Sequence, residues 1–324
     1  MPPARYQWAV LVATLATSVP AHGQLIAPDH TVVLVLENRT FGQMLGAADA
    51  PYLNSLIPQG GLLTNYFAVT HPSQPNYLAM FSGSTQGVID NTTPTVLPFT
   101  SPNLGAQLLN SGRSFVGYSE GLPFVGYTGD NAGGTSGYYR KHNPWVNWQQ
   151  VGAGPHPTNT LPSLVNQPFS AFPTDYATLP SVSFVVPTQA NDMHDGSTAT
   201  GDAWVAANLG GYIQWARTHN SMFVVTFDED DGSDNNHIFT LFVGAGVLPG
   251  SSSSSVYSHY HLLATLQDMY SLPRTGGSDG LPAISGIFVP VPEASSWAMT
   301  AFGGVLTGLA SIRGRFRAWV AKPG

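Results

Sequence analysis

MFVVTFDEDD, residues 222–231, is a run of β-branched and aromatic side chains that breaks off into four consecutive acids. Six residues with no charge and no polar alternation read as a strand covered on both faces. Asp228, Glu229, Asp230 and Asp231 then fall at its carboxyl end. The same pattern occurs twice more. TVVLVL (31–36) runs into Glu37, Asn38 and Arg39; VSFVV (182–186) runs through Pro187 to Asn191, Asp192, Met193, His194 and Asp195. Three buried strands that each deliver acids or histidine at one end predict a parallel sheet with the active site along its carboxyl edge. Residues 202–218 and 261–270 have helical spacing and 238–243 reads as a further strand, so strands and helices alternate from 181 to 270. The fold class is therefore α/β, a sandwich of helices on a sheet.

Between the first two of these strands lies THPSQPNYLAMFSG (70–83). Pro75 favours the first turn of a helix, which places the Ser73 hydroxyl near a helix N-terminus among unpaired backbone N–H groups. A helix cap would use the same residue. To act as a nucleophile the hydroxyl needs a neighbouring base or a cation. His71 and the strand-end carboxylates are the candidates. Glu37, Asn38, Asp228, Glu229 and Ser73 together offer the oxygen ligands of a hard or borderline divalent ion, with Ca, Mg, Mn and Zn all compatible. Of the histidines, His71, His142, His194, His237 and His259 stand in polar, turn-like settings and are available to orient a phosphate or protonate a leaving group. His156 and His219 receive no role.

Only 9% of the 324 residues are charged and there is no cysteine. Residues 31–290 carry six basic side chains (Arg39, Arg113, Arg140, Lys141, Arg217, Arg274) against sixteen acids, which excludes a nucleic-acid backbone as partner and suits a bound cation. Residues 1–23, with Arg5, an apolar run from Trp8 to Ala16 and small residues at 21 and 23, read as a signal peptide of an exported chain. Residues 24–285 form the domain and 286–324 a proline-containing linker and tail. That tail runs from Pro292-Glu293-Ala294 through an apolar stretch (297–312) to Arg313, Arg315 and Arg317. It resembles the bacterial PEP-CTERM sorting signal, departing from it at Ala294, and so implies sorting machinery, a transient membrane association and a Gram-negative-like periplasm, cell surface or medium as destination.

The middle of the chain, 86–180, is rich in Gly, Pro, Asn and aromatics and reads as long loops over the carboxyl edge of the sheet. Ser251–Ser255 reads as an exposed connection. Gly276-Gly277-Ser278-Asp279-Gly280 spells the G-x-S-x-G pattern but follows a helix and a proline, not a strand, so it reads as a loop.

The blocks VVLVLENRTF, THPSQPNYLAMFSGS, FVGYSEGLP, YRKHNPW, NDMHDGS, VVTFDEDDG and SHYHLLATLQDMYSLP, spread in order over 31–275, resemble the bacterial phosphoesterase family that joins secreted acid phosphatases and phospholipases C, especially its short acid-phosphatase branch. The resemblance implies a three-layer α/β/α sandwich with a mostly parallel sheet, as in the alkaline phosphatase superfamily. Its nucleophile context is Ser73-Gln74-Pro75-Asn76. Carried over by position, Glu37, Asn38, Asp228 and Glu229 bind one divalent metal with Ser73, and Glu229 is one methylene longer than the aspartate of some relatives. Lys141, Asn76 and Asp192 serve the substrate, and His71, His142, His194 and His259 complete the catalytic set, with His261 a competitor for the place of His259. Glu120 in GYSEGLP is open between a structural and a functional reading.

The expected reaction is a two-step displacement on a small-molecule or lipid phosphate monoester. Ser73 attacks phosphorus, His142 or His194 protonates the departing alcohol, and water hydrolyses the phosphoserine. Protonated histidines in place of a second cation imply an acidic optimum. Two alternatives are a phospholipase C or other phosphodiesterase on the same scaffold, and a non-catalytic cation-binding surface protein.

Overall fold

The computed structural model describes residues 25–150, 152 and 157–290; the expected leader and residues 291–324 of the expected tail lie outside the described residues. The strands, in chain order, are β1 (His30–Leu36), β2 (Gly61–Leu63), β3 (Tyr66–Phe67), β4 (Phe115–Ser119), β5 (Asn131–Ala132), β6 (Tyr138–Tyr139), β7 (Asn166–Pro168), β8 (Val182–Val186), β9 (Ser221–Phe227), β10 (Thr240–Gly244), β11 (Ser251–Ser253) and β12 (Tyr257–Ser258). The helices are α1 (Phe41–Met44), α2 (Pro51–Leu56), α3 (Ser73–Ser82), α4 (Leu104–Asn110), α5 (Thr198–Ala216) and α6 (His259–Met269).

Eight strands form one sheet in the order β11-β2-β10-β9-β1-β8-β4-β7, and β3–β12 and β5–β6 form two small ladders. β1 pairs in parallel with β8 and β9, and β4 in parallel with β8 and β7. Only β10 runs against its neighbours in the large sheet, antiparallel to β9 and β2. β1 and β9 sit at the centre, and Val33 to Leu36 and Met222 to Val225 have no exposed surface. That explains their unbroken apolar sequences. Helices α2 and α5 pack together, as do α3 with α4 and α6, giving the outer layers of a three-layer α/β/α sandwich. Among the described residues no helix is long and apolar enough to cross a membrane.

Helix α3 is buried on every side, from Ser73 to Ser82, which is why its apolar pattern has no single face. Gly83 ends it in the left-handed conformation (φ 76°), where glycine carries no steric cost. In β4, Gly117 leaves room for the Trp145 indole; a Cβ there would lie 2.0 Å from the ring.

Several expectations are corrected. No helix separates β9 from β10, so the alternation from 181 to 270 is interrupted by an antiparallel pair. The serine run is not a loose connection: Ser251–Ser253 is edge strand β11, paired with β2. The middle region also supplies α4 and the sheet strands β4 and β7, the latter pair in FVGYS and NQP segments too short for their periodicity to show. The domain continues past 285. Ile287 is buried, Phe288 packs edge-on against Phe242 at 5.6 Å, and Val289 N–H donates to the Gly246 carbonyl at 2.7 Å. Gly276–Ser278, read as a loop, is one turn of 3-10 helix that follows α6 and no strand, with Ser278 Oγ donating to Gln267 Oε1 at 2.6 Å.

Candidate active site

Because β1, β9, β8 and β4 run the same way, Glu37, Asp228 and Glu229, the Asp192 loop and Glu120 all emerge at one edge of the sheet. Helix α3 begins there too. Its first residue, Ser73, donates a 2.9 Å hydrogen bond to Glu229 Oε1 and lies 3.4 Å from Glu37 Oε2. Tyr77, one turn on, donates to Glu37 Oε1 at 2.6 Å and stacks on His142. His142 Nε2 stands 3.1 Å from Glu37 Oε1, and its Nδ1 3.5 Å from Asp192 Oδ2. His71 bridges Glu229 (2.6 Å) and Asp230 (3.1 Å). Asn38, whose φ of 55° is a conformation asparagine tolerates, turns its N–H toward Asp228 Oδ1 at 3.4 Å and lines an open cleft with His71, His194 and Glu229.

Four carboxyl groups are thus crowded in low dielectric. Burial, and then the charges of their neighbours, raise Glu37, Asp192 and Asp228 well above the usual carboxylate range; burial raises Glu229 as well. Asp192 Oδ2 and Asp228 Oδ2 are buried without a hydrogen-bond partner. Glu37, His142 and Asp192 offer ligand atoms within 4.8 Å of one another, a group able to hold a metal ion. Crowded oxygens, unpaired lone pairs and a nearby imidazole are the donor set of a divalent cation, so the residues fit such an ion. Burial, followed by the charges of Lys141 and His194, pushes the His142 imidazole well below its ordinary value, which favours its neutral, ligating form.

Not every expected residue faces this centre. Asn76 accepts the N–H groups of Val69 (2.9 Å) and Thr70 (3.1 Å) and donates to the Thr70 and Pro72 carbonyls, so its amide is spent on the loop before Ser73 and not on substrate. His259 is fully buried. Its Nε2 donates to the Asp228 carbonyl at 2.6 Å and its Nδ1 meets the Tyr66 hydroxyl at 3.2 Å, so it supports the strand end from behind. Burial pushes it down to about 4. His261 accepts the Ser258 N–H as a helix cap, which ends its competition with His259. His237 stacks between Phe41 and Phe67. Lys141 makes no hydrogen bond among the described residues, but its charge opposes the upward shift of Glu37, Asp192 and Glu229 without cancelling it. His194 pairs with Asp195 at 2.8 Å on the open side. Expected for the substrate, Asp192 instead joins Glu37 and His142 in the group able to hold a metal.

Glu120 is the residue that the sequence left undecided. Its carboxylate accepts from Thr188 N (2.9 Å), Thr188 Oγ1 (3.0 Å), Asn191 Nδ2 (2.9 and 3.0 Å) and Trp204 Nε1 (2.9 Å). It ties the end of β4 to α5 and to the loop that carries Asp192 and His194. The adjacent Met193 has φ 78°, a conformation that costs a non-glycine residue energy and needs such support.

A serine hydroxyl set among buried carboxylates at the sheet edge is an arrangement suited to a hydrolase of the phosphoester-cleaving kind. The profile of the Phosphoesterase family matches residues 47–273, and the chain belongs to that family. It is similar to the phosphatidylinositol-3-phosphatase of Mycobacterium tuberculosis, 48% identical over 261 residues that cover 80% of this chain and 82% of that protein. It is also similar to the phosphate-repressible acid phosphatase of Penicillium chrysogenum, 32% identical over 280 residues, 82% of this chain and 66% of that protein. Among solved structures, a protein in the alkaline phosphatase superfamily from Vibrio parahaemolyticus shares the fold with a TM-score of 0.52 at 12% identity, covering 81% of this chain and 73% of its own.

Proposed function

We propose that the chain is an exported, metal-dependent phosphomonoesterase that works through a phosphoserine intermediate. The observation that carries this reading is the position of Ser73 Oγ, at the start of a buried helix and within 2.9 Å of Glu229 and 3.4 Å of Glu37. Glu37, Asp192, Asp228, Glu229 and His142, with the Ser73 oxygen and Asn38, are the residues to hold one divalent ion. Such an ion, when bound, lowers the pKa of a ligating hydroxyl and neutralises charge on a phosphate oxygen. Ser73 then supplies the nucleophile and the helix N-terminus a favourable field for the incoming anion. Between the two proton donors considered, His194 fits better: His142 is buried and held neutral, whereas His194 stands at the open side with Asp195 behind it. Tyr77 fixes Glu37, and Lys141 places a positive charge beside the carboxylates.

The 48% identical phosphatidylinositol-3-phosphatase supports a phosphate monoester, lipid-linked or free, as substrate, in preference to the diester of a phospholipase C. The leader and tail support export, sorting and a transient membrane contact. Ser73→Ala tests the central assignment. Hydrolysis of p-nitrophenyl phosphate and trapping of a phosphorylated serine should both be lost while the melting curve stays cooperative. Retained turnover in that variant would remove Ser73 from the mechanism.

A further inference from the structure

A second cleft, of about 390 Å³, opens between Asn91–Thr93 on one side and Asp130, Asn131, Tyr139 and Lys141 on the other. It is tied to the nucleophile by the residue that follows it. Gln74 N–H donates to Asn91 Oδ1 at 3.0 Å, and Gln74 Nε2 donates to the carbonyls of Asp90 (3.0 Å) and Thr92 (2.8 Å). The far wall is fixed as well. Thr93 Oγ1 donates to Asp130 Oδ1, the Arg140 N–H donates to the Asp130 carbonyl, and β5 pairs with β6. Within this fixed frame the side chains of Asn131, Tyr139 and Lys141 make no hydrogen bond among the described residues. Lys141 also reaches the catalytic cluster through its charge.

We infer that this cleft takes the alcohol half of the phosphate ester, and that the alcohol is a polyol, a ring or chain bearing several hydroxyl groups. The inference rests on the phosphomonoesterase reading of Ser73. A free amide, a phenol and an ammonium group, with the Asp130 carboxylate alongside, offer both donors and acceptors to hydroxyls. Apart from the Tyr139 ring, the lining has no large apolar side chain to hold a plain hydrocarbon. The other cleft contains Glu229, Asp230 and Asp231 and is the less suitable place for a neutral polyol. Sites that hydrogen-bond a substrate hydroxyl discriminate against the analogue that lacks it, because their polar groups are then left unpaired.

The test compares two ring alcohols of similar size, as myo-inositol 1-phosphate and cyclohexyl phosphate, on the full chain and on Asn131→Ala and Tyr139→Phe. Neither substitution removes an internal hydrogen bond, and a melting curve checks that each variant is folded. The ratio of kcat/KM for the inositol ester to that for the cyclohexyl ester should fall by about fivefold for each hydrogen bond lost, and further in the double variant. Taking each variant against the parent cancels the different reactivity of the two leaving groups. A ratio that stays constant in both variants, whether both rates fall or neither does, overturns the polyol subsite while leaving the phosphatase reading intact. No turnover of either ester by a parent chain that still hydrolyses p-nitrophenyl phosphate overturns the subsite alone, and no turnover of any of the three overturns the phosphatase reading and the subsite with it.

Discussion

The Ser73 hydroxyl and the Asn76 amide lie one turn apart at the start of α3 and are used in different ways. Ser73 Oγ points into a cluster of acids, whereas all the hydrogen-bonding capacity of Asn76 goes to backbone groups of residues 69–72. Asn76 therefore braces the loop that carries His71 and Ser73. Asn76→Ala would leave the Val69 and Thr70 N–H groups without an acceptor. A buried unpaired donor costs about 1–3 kcal/mol, so the variant should melt several degrees lower and lose activity through misplacement of Ser73. Chemical denaturation beside steady-state kinetics checks this, and unchanged stability would mean that water or another group satisfies the loop. Ser-x-Pro-Asn was legible as a motif, but a linear pattern does not say which polar atom of a helix turn faces the site and which faces its own backbone.

At the scale of elements, the parallel sheet assembles the site by direction alone. Four strand ends meet at one edge, and the loops that follow them carry Glu37, Glu120, Asp192, Asp228 and Glu229. Glu120 clamps the loop after β8 with hydrogen bonds to Thr188, Asn191 and Trp204. Glu120→Gln keeps the shape but turns an N–H group toward one of these donors. The expected result is a fall in kcat of about tenfold, from a small misplacement of Asp192 and His194, with KM little changed. A lower melting temperature with kcat intact would assign Glu120 to stability alone. β4 escaped the periodicity reading for a physical reason: FVGYS includes Gly117, whose missing side chain is filled by Trp145 from elsewhere in the chain.

For the whole molecule the decisive quantity is charge. In the unfolded chain the four clustered carboxyls ionise near pH ~4; in the fold burial and mutual repulsion raise them. Their contribution to stability is therefore full below the unfolded value and is lost as pH rises through the raised values. His142 and His259 act in the opposite sense. Burial lowers both, so their contribution is present above their unfolded value near ~6.5 and is lost as pH falls through the lowered values. A divalent cation bound at the cluster would pair the ionised carboxylates and remove the first of these losses. The rise in melting temperature on adding metal to chelator-treated protein should be largest near neutral pH and shrink toward pH ~4, where protons compete for the same oxygens. A rise that is independent of pH would place the metal elsewhere.

Read alone, the chain revealed the buried strands, the acids at their ends and the Ser73 helix start, because hydrophobic runs and proline signals are local properties of a few neighbouring residues. It also indicated the α/β class and, by resemblance, the family. Only the tertiary structure decided that β10 turns back, that Ser251–Ser253 joins the sheet, that Asp192 and His142 stand with Glu37, and that Asn76 and His259 face away from the centre. Those outcomes depend on which of many polar atoms become buried together and which partners remain for them once the chain has closed, a choice made by packing between segments that lie a few residues apart at Asn76 and more than a hundred apart where Glu37 meets His142 and Asp192.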